Sequence, residues 1–157
     1  MSAYSSRDFW RVPRVLTAVI PDRIHHKSVK NAQGEGSEEF STERKHRVHI
    51  VDLPAVTLSM TLGELQPGET TTMHRHNYET IIYVVAGRGL TRIADRVVNW
   101  EAGDALYIPV WASHQHQSLE IADVCTYVAC ENAPLLQNLG GIALREEVSV
   151  RTSSIRA

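Results

Sequence analysis

The chain has 157 residues, 43% of them apolar and 22% charged, and a formal net charge of −2 at pH 7. That is an ordinary soluble composition, with length for one domain and a real core. There is no basic excess for nucleic acid and no polybasic run for an anionic membrane, and the longest apolar stretch, Ile81 to Ala86, is far too short to span a bilayer.

Residues 1–29 give a mixed signal and are expected to form an arm that packs on the main domain or on a partner subunit. Met1 to Asp8 lack the apolar core of a signal peptide. Lys30 to Arg47 is polar and charged, with Gly34-Glu35-Gly36-Ser37-Glu38-Glu39, and reads as a flexible surface loop. His25, His26 and His46 flank it as solvated side chains. From Val48 the pattern sharpens. Val56, Leu58, Met60 and Leu62 alternate with Thr57, Ser59 and Thr61, the period-2 mark of a half-buried strand. Gly63 and Pro67-Gly68 mark turns. Ile81 to Ala86 reads as a buried strand ended by Gly87-Arg88-Gly89. Leu90 to Ile93 and Val97 to Trp100 flank a hairpin turn at Ala94-Asp95-Arg96. Gly103-Asp104 leads into Ala105 to Ile108, which Pro109 stops. His114 to Ser118 and Val124 to Cys130 are the last two strands. After Pro134, the residues Leu135, Leu136 and Leu139 fit one helical turn, with Gly140-Gly141 as its stop.

Seven or eight short strands with closely spaced turns predict an all-β barrel or sandwich. The expected division is an arm and loop over 1–47, a barrel over 48–131 and a tail over 132–157. Cys125 and Cys130 fall in one strand, roughly 16 Å apart and on opposite faces, far beyond the disulfide reach of about 7 Å. They read as buried, inert thiols in a reducing cytoplasm.

Two segments carry the chemistry. His74-Arg75-His76 precedes an apolar run, and Pro109-Val110-Trp111-Ala112-Ser113-His114-Gln115-His116 holds a second pair of histidines one residue apart. Strand side chains alternate faces, so His74 and His76 share a side, as do His114 and His116. Two such pairs beside Gly- and Pro-marked turns can wrap a transition metal.

The spacings Gly68-x5-His74-x-His76-x3-Thr80-x6-Gly87 and Gly103-x5-Pro109-x-Trp111-x2-His114-x3-Ser118 resemble the two motifs of the cupin superfamily. The resemblance covers about residues 56–130. It implies a jelly-roll barrel (a double-stranded β-helix) with one central metal held by His74, His76 and His114. The family usually has Glu where Thr80 stands, often Gly where Trp111 stands, and Asn where Ser118 stands. Thr80 is a poor ligand. Glu79, one position away, faces the opposite side of a regular strand, and only a bulge near Asn77-Tyr78 returns it as a fourth ligand. Three neutral imidazoles leave the full +2 charge and open positions on the ion. That favours Fe(II), with Zn, Mn or Ni as alternatives.

Within the superfamily, gentisate and salicylate ring-cleaving dioxygenases lack the motif carboxylate in this way. Their second motif is similar to Pro109-x-Trp111-x-x-His114-x-His116. They are about twice this length, with two cupin units. They also carry an inward Arg for the substrate carboxylate where this chain has Ile82, and Arg88, Arg92 and His49 are the candidates to replace it.

His116 is either a second acid–base group beside the metal or a plain hydrogen-bonded histidine. Trp111 is either a stacking wall for a planar substrate or rim packing. Thr80 faces the pocket with the histidines, Met60, Ile82, Val84 and Leu106 line the pocket or fill the core, and Tyr83 faces away from the metal side. Arg75 points outward. The expectation is a cytoplasmic, homodimeric Fe(II) dioxygenase for a small oxygen-chelating substrate, with no nucleic-acid or membrane partner. The alternatives are a metal-dependent isomerase, epimerase or lyase of a sugar or keto acid, in which His116 or Glu79 moves a proton, and a non-catalytic ligand-binding cupin.

Overall fold

A computed structural model of the chain describes residues 18–31 and 37–148. The expected arm over residues 1–17 lies outside the described residues. Ten strands follow a short helix: α1 Ser37–Arg44, then β1 Arg47–Ile50, β2 Ser59–Leu65, β3 His74–His76, β4 Thr80–Ala86, β5 Arg88–Ile93, β6 Arg96–Glu101, β7 Ala105–Ile108, β8 His114–Ser118 and β9 Cys125–Glu131. A second helix, α2 Ala133–Asn138, precedes β10 Arg145–Glu147. The strands form two five-stranded sheets, ordered β1-β2-β9-β4-β7 and β10-β3-β8-β5-β6, every pairing antiparallel. This is the jelly-roll arrangement.

The core between the sheets is built from Leu65, Ile82, Val84, Trp100, Leu106, Ile108, Cys125, Tyr127 and Ala129. In β4 the burial alternates strictly. Thr80, Ile82 and Val84 point inward, whereas Ile81, Tyr83 and Val85 are half or more exposed. The expectation of a fully buried strand there is corrected: β4 buries one face only. Tyr83 does face away from the metal side.

The phase of β2 is also the reverse of its apolar pattern. Gly63 and Leu65 are buried, so parity turns Thr61 inward and Met60 outward, where Met60 is 42% exposed. Two contacts fix this phase. Leu65 is wholly buried, and Gly63 sits opposite Tyr127, where an added Cβ would collide with the phenol ring. Met60 is therefore no pocket residue. Its apolar side chain joins Leu62, Val128, Ile81, Tyr83 and Tyr107 on the outer face of the sheet. The register aligns these in two rows, Met60–Cys130–Ile81–Tyr107 and Leu62–Val128–Tyr83–Ala105.

The expected loop over Lys30 to Arg47 contains α1. Glu38 and Glu39 in its first turn and Arg44 in its last complement the helix dipole. A helix this short is marginal alone, and tertiary bonds hold it. Ser41 Oγ donates to the Val48 carbonyl and accepts from the Val48 N–H, both at 2.9 Å. Residues read as a C-terminal tail supply α2 and then β10, which pairs with β3. Cys125 and Cys130 both sit on β9 as free thiols; Cys125 is buried and Cys130 partly so. Among the described residues no helix is long and apolar enough to cross a membrane.

Candidate metal centre

Two strands bring the histidines together. His74 opens β3 and stands directly opposite His114, which opens β8. His76 is two residues along β3 and so on the same face. The turn before β8 is tied to β3 by the Trp111 N–H, which donates to the His76 carbonyl at 2.7 Å. The His74 and His114 rings lie 4.1 Å apart between centroids, and His76 and His114 lie 4.8 Å apart. All three are buried, and one ring nitrogen of each lies within 4.8 Å of the others.

The hydrogen bonds settle which nitrogen faces inward. Nδ1 of His74 donates to the Thr72 carbonyl, Nδ1 of His76 to the Tyr78 carbonyl and Nδ1 of His114 to the Ala112 carbonyl, at 2.8–2.9 Å. A carbonyl only accepts, so each Nδ1 carries the proton and each Nε2 keeps a lone pair. Backbone oxygens orient all three imidazoles, as an outer coordination shell orients metal-binding histidines. Burial pushes the His74 imidazole down to about 2, with the neighbouring His114 adding to it. Burial likewise holds His76 and His114 at about 4. At neutral pH the cluster is three uncharged donors, which suits a divalent transition cation.

His116 is held differently. Trp100 Nε1 donates to Thr91 Oγ1, and Thr91 Oγ1 lies 2.9 Å from His116 Nδ1. Thr91 is wholly buried, and its hydroxyl proton has His116 Nδ1 as its acceptor among the described residues. That arrangement leaves the proton of His116 on Nε2. The ring lines the cavity as a donor rather than a ligand, and it lies outside the three-histidine cluster.

The cavity at the histidines has a volume of about 50 Å³, room for a few water-sized atoms. Thr80 and Ile82 line it, as expected from sequence, and so do Phe40, Arg44, His46, Val48, Thr61, Tyr127, Ala129 and Glu131. A wider groove of about 550 Å³ adjoins it and shares Phe40, Arg44, Thr61 and Glu131. The Arg44 guanidinium stacks on the Phe40 ring at 4.5 Å, so this pair of α1 stands between the two spaces.

Two expected site residues lie elsewhere. Glu79 is exposed, accepting from the Tyr107 hydroxyl at 2.9 Å, with its backbone N–H bonded to Asn132 Oδ1. The bulge that would turn it inward is absent, because Thr80 takes the inward position at the start of β4. Trp111 is 40% exposed and packs under the Arg75 guanidinium, 4.6 Å from ring centre to cation. It is rim packing and no wall of the cavity. Its φ of +63° is the left-handed conformation that favours glycine.

Sequence reasoning missed Glu131, His46, Tyr127 and Arg44, which line the cavity. Thr80 Oγ1 donates to Glu131 Oε1 at 3.4 Å, across the β4–β9 pairing. A half-buried carboxyl thus stands on the strand beside the position where the motif carboxylate is missing, and desolvation pushes its pKa up. The signal was parity: Glu131 shares the face of Tyr127 and Ala129. His46, expected to be solvated, is half-buried. Its Nδ1 donates to the Arg44 carbonyl, and its Nε2 accepts from the Tyr127 hydroxyl at 2.7 Å.

A cupin-domain family model matches residues 61–128, which include both motif segments and all three histidines. Over those residues the chain is similar to a cupin domain. The chain is 32% identical over 85 residues to a 5-aminosalicylate 1,2-dioxygenase of Comamonas sp, covering 54% of this chain and 22% of that protein. It is 30% identical over 71 residues to a 5-nitrosalicylic acid 1,2-dioxygenase of Bradyrhizobium sp, covering 45% and 34%. The chain therefore spans about a fifth to a third of the length of these relatives. In structure the cupin fold matches a salicylate 1,2-dioxygenase from Pseudaminobacter salicylatoxidans. The TM-score is 0.62 at 23% identity, over 67% of this chain and 32% of that one.

Proposed function

We propose that this cupin is a non-haem Fe(II) dioxygenase acting on a small organic substrate that chelates the metal through two oxygens. One observation carries the reading: three Nε2 lone pairs converge with no carboxylate among them. The likeness to dioxygenases of substituted salicylates supports it.

His74, His76 and His114 hold the ion. Fe(II), when bound, supplies an undiminished +2 charge and open positions where a chelating substrate and dioxygen can meet. The three backbone carbonyls keep the imidazoles aimed. Val48, Ile82 and Ala129 give the cavity apolar wall area that limits water. His116 offers its Nε2–H to an oxygen atom in the cavity, and Glu131 is placed to take or return a proton there.

Protein purified without added metal should contain iron and consume oxygen with some member of a panel of catechols, hydroxy acids and β-diketones. Zinc, nickel or manganese in the site, with no oxygen uptake, would sink this reading. Glu131 favours a second one, a metal-dependent isomerase, epimerase or lyase of a sugar or keto acid, because a carboxyl of raised pKa on the cavity of the three histidines suits proton transfer. Substrate turnover without oxygen uptake distinguishes it. A homodimer in the cytoplasm completes the proposal, supported by the two apolar rows on the outer sheet face and by two free cysteines.

A further inference from the structure

We infer that the groove beyond Phe40 and Arg44 is a second substrate subsite, which takes an uncharged apolar body attached to the chelating head at the three histidines. This rests on the metal-centre reading above and assigns the substrate class: two adjacent oxygens on an alkyl or aryl body too large for the cavity.

The two spaces differ in what they can hold. The cavity at the histidines, about 50 Å³, takes a chelating pair of oxygens and the carbons that bear them. The groove, about 550 Å³, lies in the size range of small-molecule sites. Phe40, Arg44, Thr61 and Glu131 line both, so the two spaces meet at these side chains. Whatever part of a substrate exceeds its head must extend past them.

The sheet builds this continuity. Ile50, Thr61, Ala129 and Ile82 stand in one inward row across β1, β2, β9 and β4, and Ser59, Glu131 and Thr80 stand in the next. In the first row Ala129 and Ile82 line the cavity, Ile50 lines the groove, and Thr61 between them lines both. In the second row Thr80 lines the cavity, Ser59 the groove, and Glu131 both. Neighbouring strands are about 4.8 Å apart, so the groove begins one to two strands from the cavity wall. Tyr78 joins the spaces a second time. Its ring stacks on the His76 imidazole, 4.0 Å between centroids and 1° between planes, and also lines the groove.

The walls choose the ligand. Ile50, Val56, Tyr78, Ala133, Pro134 and Ala143 make the groove largely apolar, and its charged side chains are only Arg44 and Glu131, where it meets the cavity. Arg88, Arg92 and His49, the sequence candidates for a substrate carboxylate, line neither space. A charged body would find no partner in the outer groove among the described residues, and burying it there is costly. An apolar body gains instead. Val56 is 66% exposed, an apolar wall that a ligand would cover.

The test is calorimetric titration of zinc-loaded protein with acetohydroxamate, butanohydroxamate and hexanohydroxamate, which share one two-oxygen head and differ only in tail length. Affinity should rise by about two- to fourfold for each added methylene. Ala133→Trp, which fills the groove, and Val56→Asp, which charges its wall at an exposed position, should each remove most of that rise. Methyl NMR locates the tail. Hexanohydroxamate should shift the methyl signals of Ile50, Val56 and Ala133, and acetohydroxamate should leave them in place. A series flat within about twofold overturns the assignment, whether the groove stays empty or is held by another part of the chain or a second copy. So does an undiminished rise in both folded variants, or a hexanohydroxamate that shifts no groove methyl. Failure of the metal-centre reading looks different: acetohydroxamate then does not bind zinc-loaded protein, while hexanohydroxamate still shifts the groove methyls of metal-free protein.

Discussion

At the scale of single residues, the centre separates groups that look alike in sequence. His74, His76, His114 and His116 are four inward imidazoles, yet three donate Nδ1 protons to carbonyls and the fourth faces a hydroxyl. The acceptor behind each ring decides whether its front nitrogen carries a lone pair or a proton. Glu79 and Glu131 are split in the same way, one outside with Tyr107 and one half-buried beside Thr80. His114→Ala should therefore lose bound metal, because two imidazoles remain where three converged, whereas Glu79→Ala should keep its full metal content. Elemental analysis of the two purified variants beside wild type checks both. Metal stripped from Glu79→Ala would mean that the carboxylate reaches the ion after all.

At the scale of elements, the barrel and its motif histidines were legible because short strands, Gly- and Pro-marked turns and parity are all local signals. The hairpin at Ala94-Asp95, the stop at Pro109 and the turn of α2 before Gly140-Gly141 stand as the sequence reads. The phase of β2 was not legible, because the outer sheet face is itself apolar and alternation does not say which side is the core. Two further elements escaped for a different reason. α1 has a single apolar anchor in Phe40 and is held by Ser41 and Val48, and β10 is three charged residues whose place depends on pairing with β3. Neither has a periodicity of its own, so Arg44, which α1 delivers to the cavity, was invisible. The turn before β8 gives an element-scale prediction. Trp111 holds a left-handed φ, which costs an ordinary residue about 1–2 kcal/mol, while its stack with Arg75 returns about 0.5–1 kcal/mol. Trp111→Gly should thus be at least as stable as wild type, and Trp111→Ala, which keeps the strain and loses the stack, less stable by about 1 kcal/mol. Metal content should be unchanged in both. Denaturant melts of the pair decide it, and an Ala variant as stable as the Gly variant would remove the strain argument.

At the scale of the whole molecule, the cluster ties folding to pH. In the metal-free protein, burial holds His74 at about 2 and His76 and His114 at about 4, while histidines of the unfolded chain titrate near 6.5. Between those values the unfolded chain binds protons that the native state refuses. Stability rises with pH wherever the unfolded state holds more protons, so it is fully present about a unit above pH 6.5 and is lost as pH falls toward 4. Each imidazole kept neutral contributes a slope of up to about 1.4 kcal/mol per pH unit in that window. The upper half of the window, above about pH 5, lies clear of most carboxyl titrations and isolates the histidines. Bound metal should displace the curve to higher stability and steepen its acid limb, because protons and the ion compete for the same three lone pairs. Urea midpoints of metal-free protein at about pH 7.5, 6.5 and 5.5 should fall slightly across the first step and steeply across the last. Replacing His114 by Gln should flatten that fall by removing one of the refused protons. A midpoint that stays level between about pH 6.5 and 5.5 would mean that the imidazoles take up protons inside the folded barrel. The neutral, convergent donor set on which the metal centre depends would then not exist in the free protein.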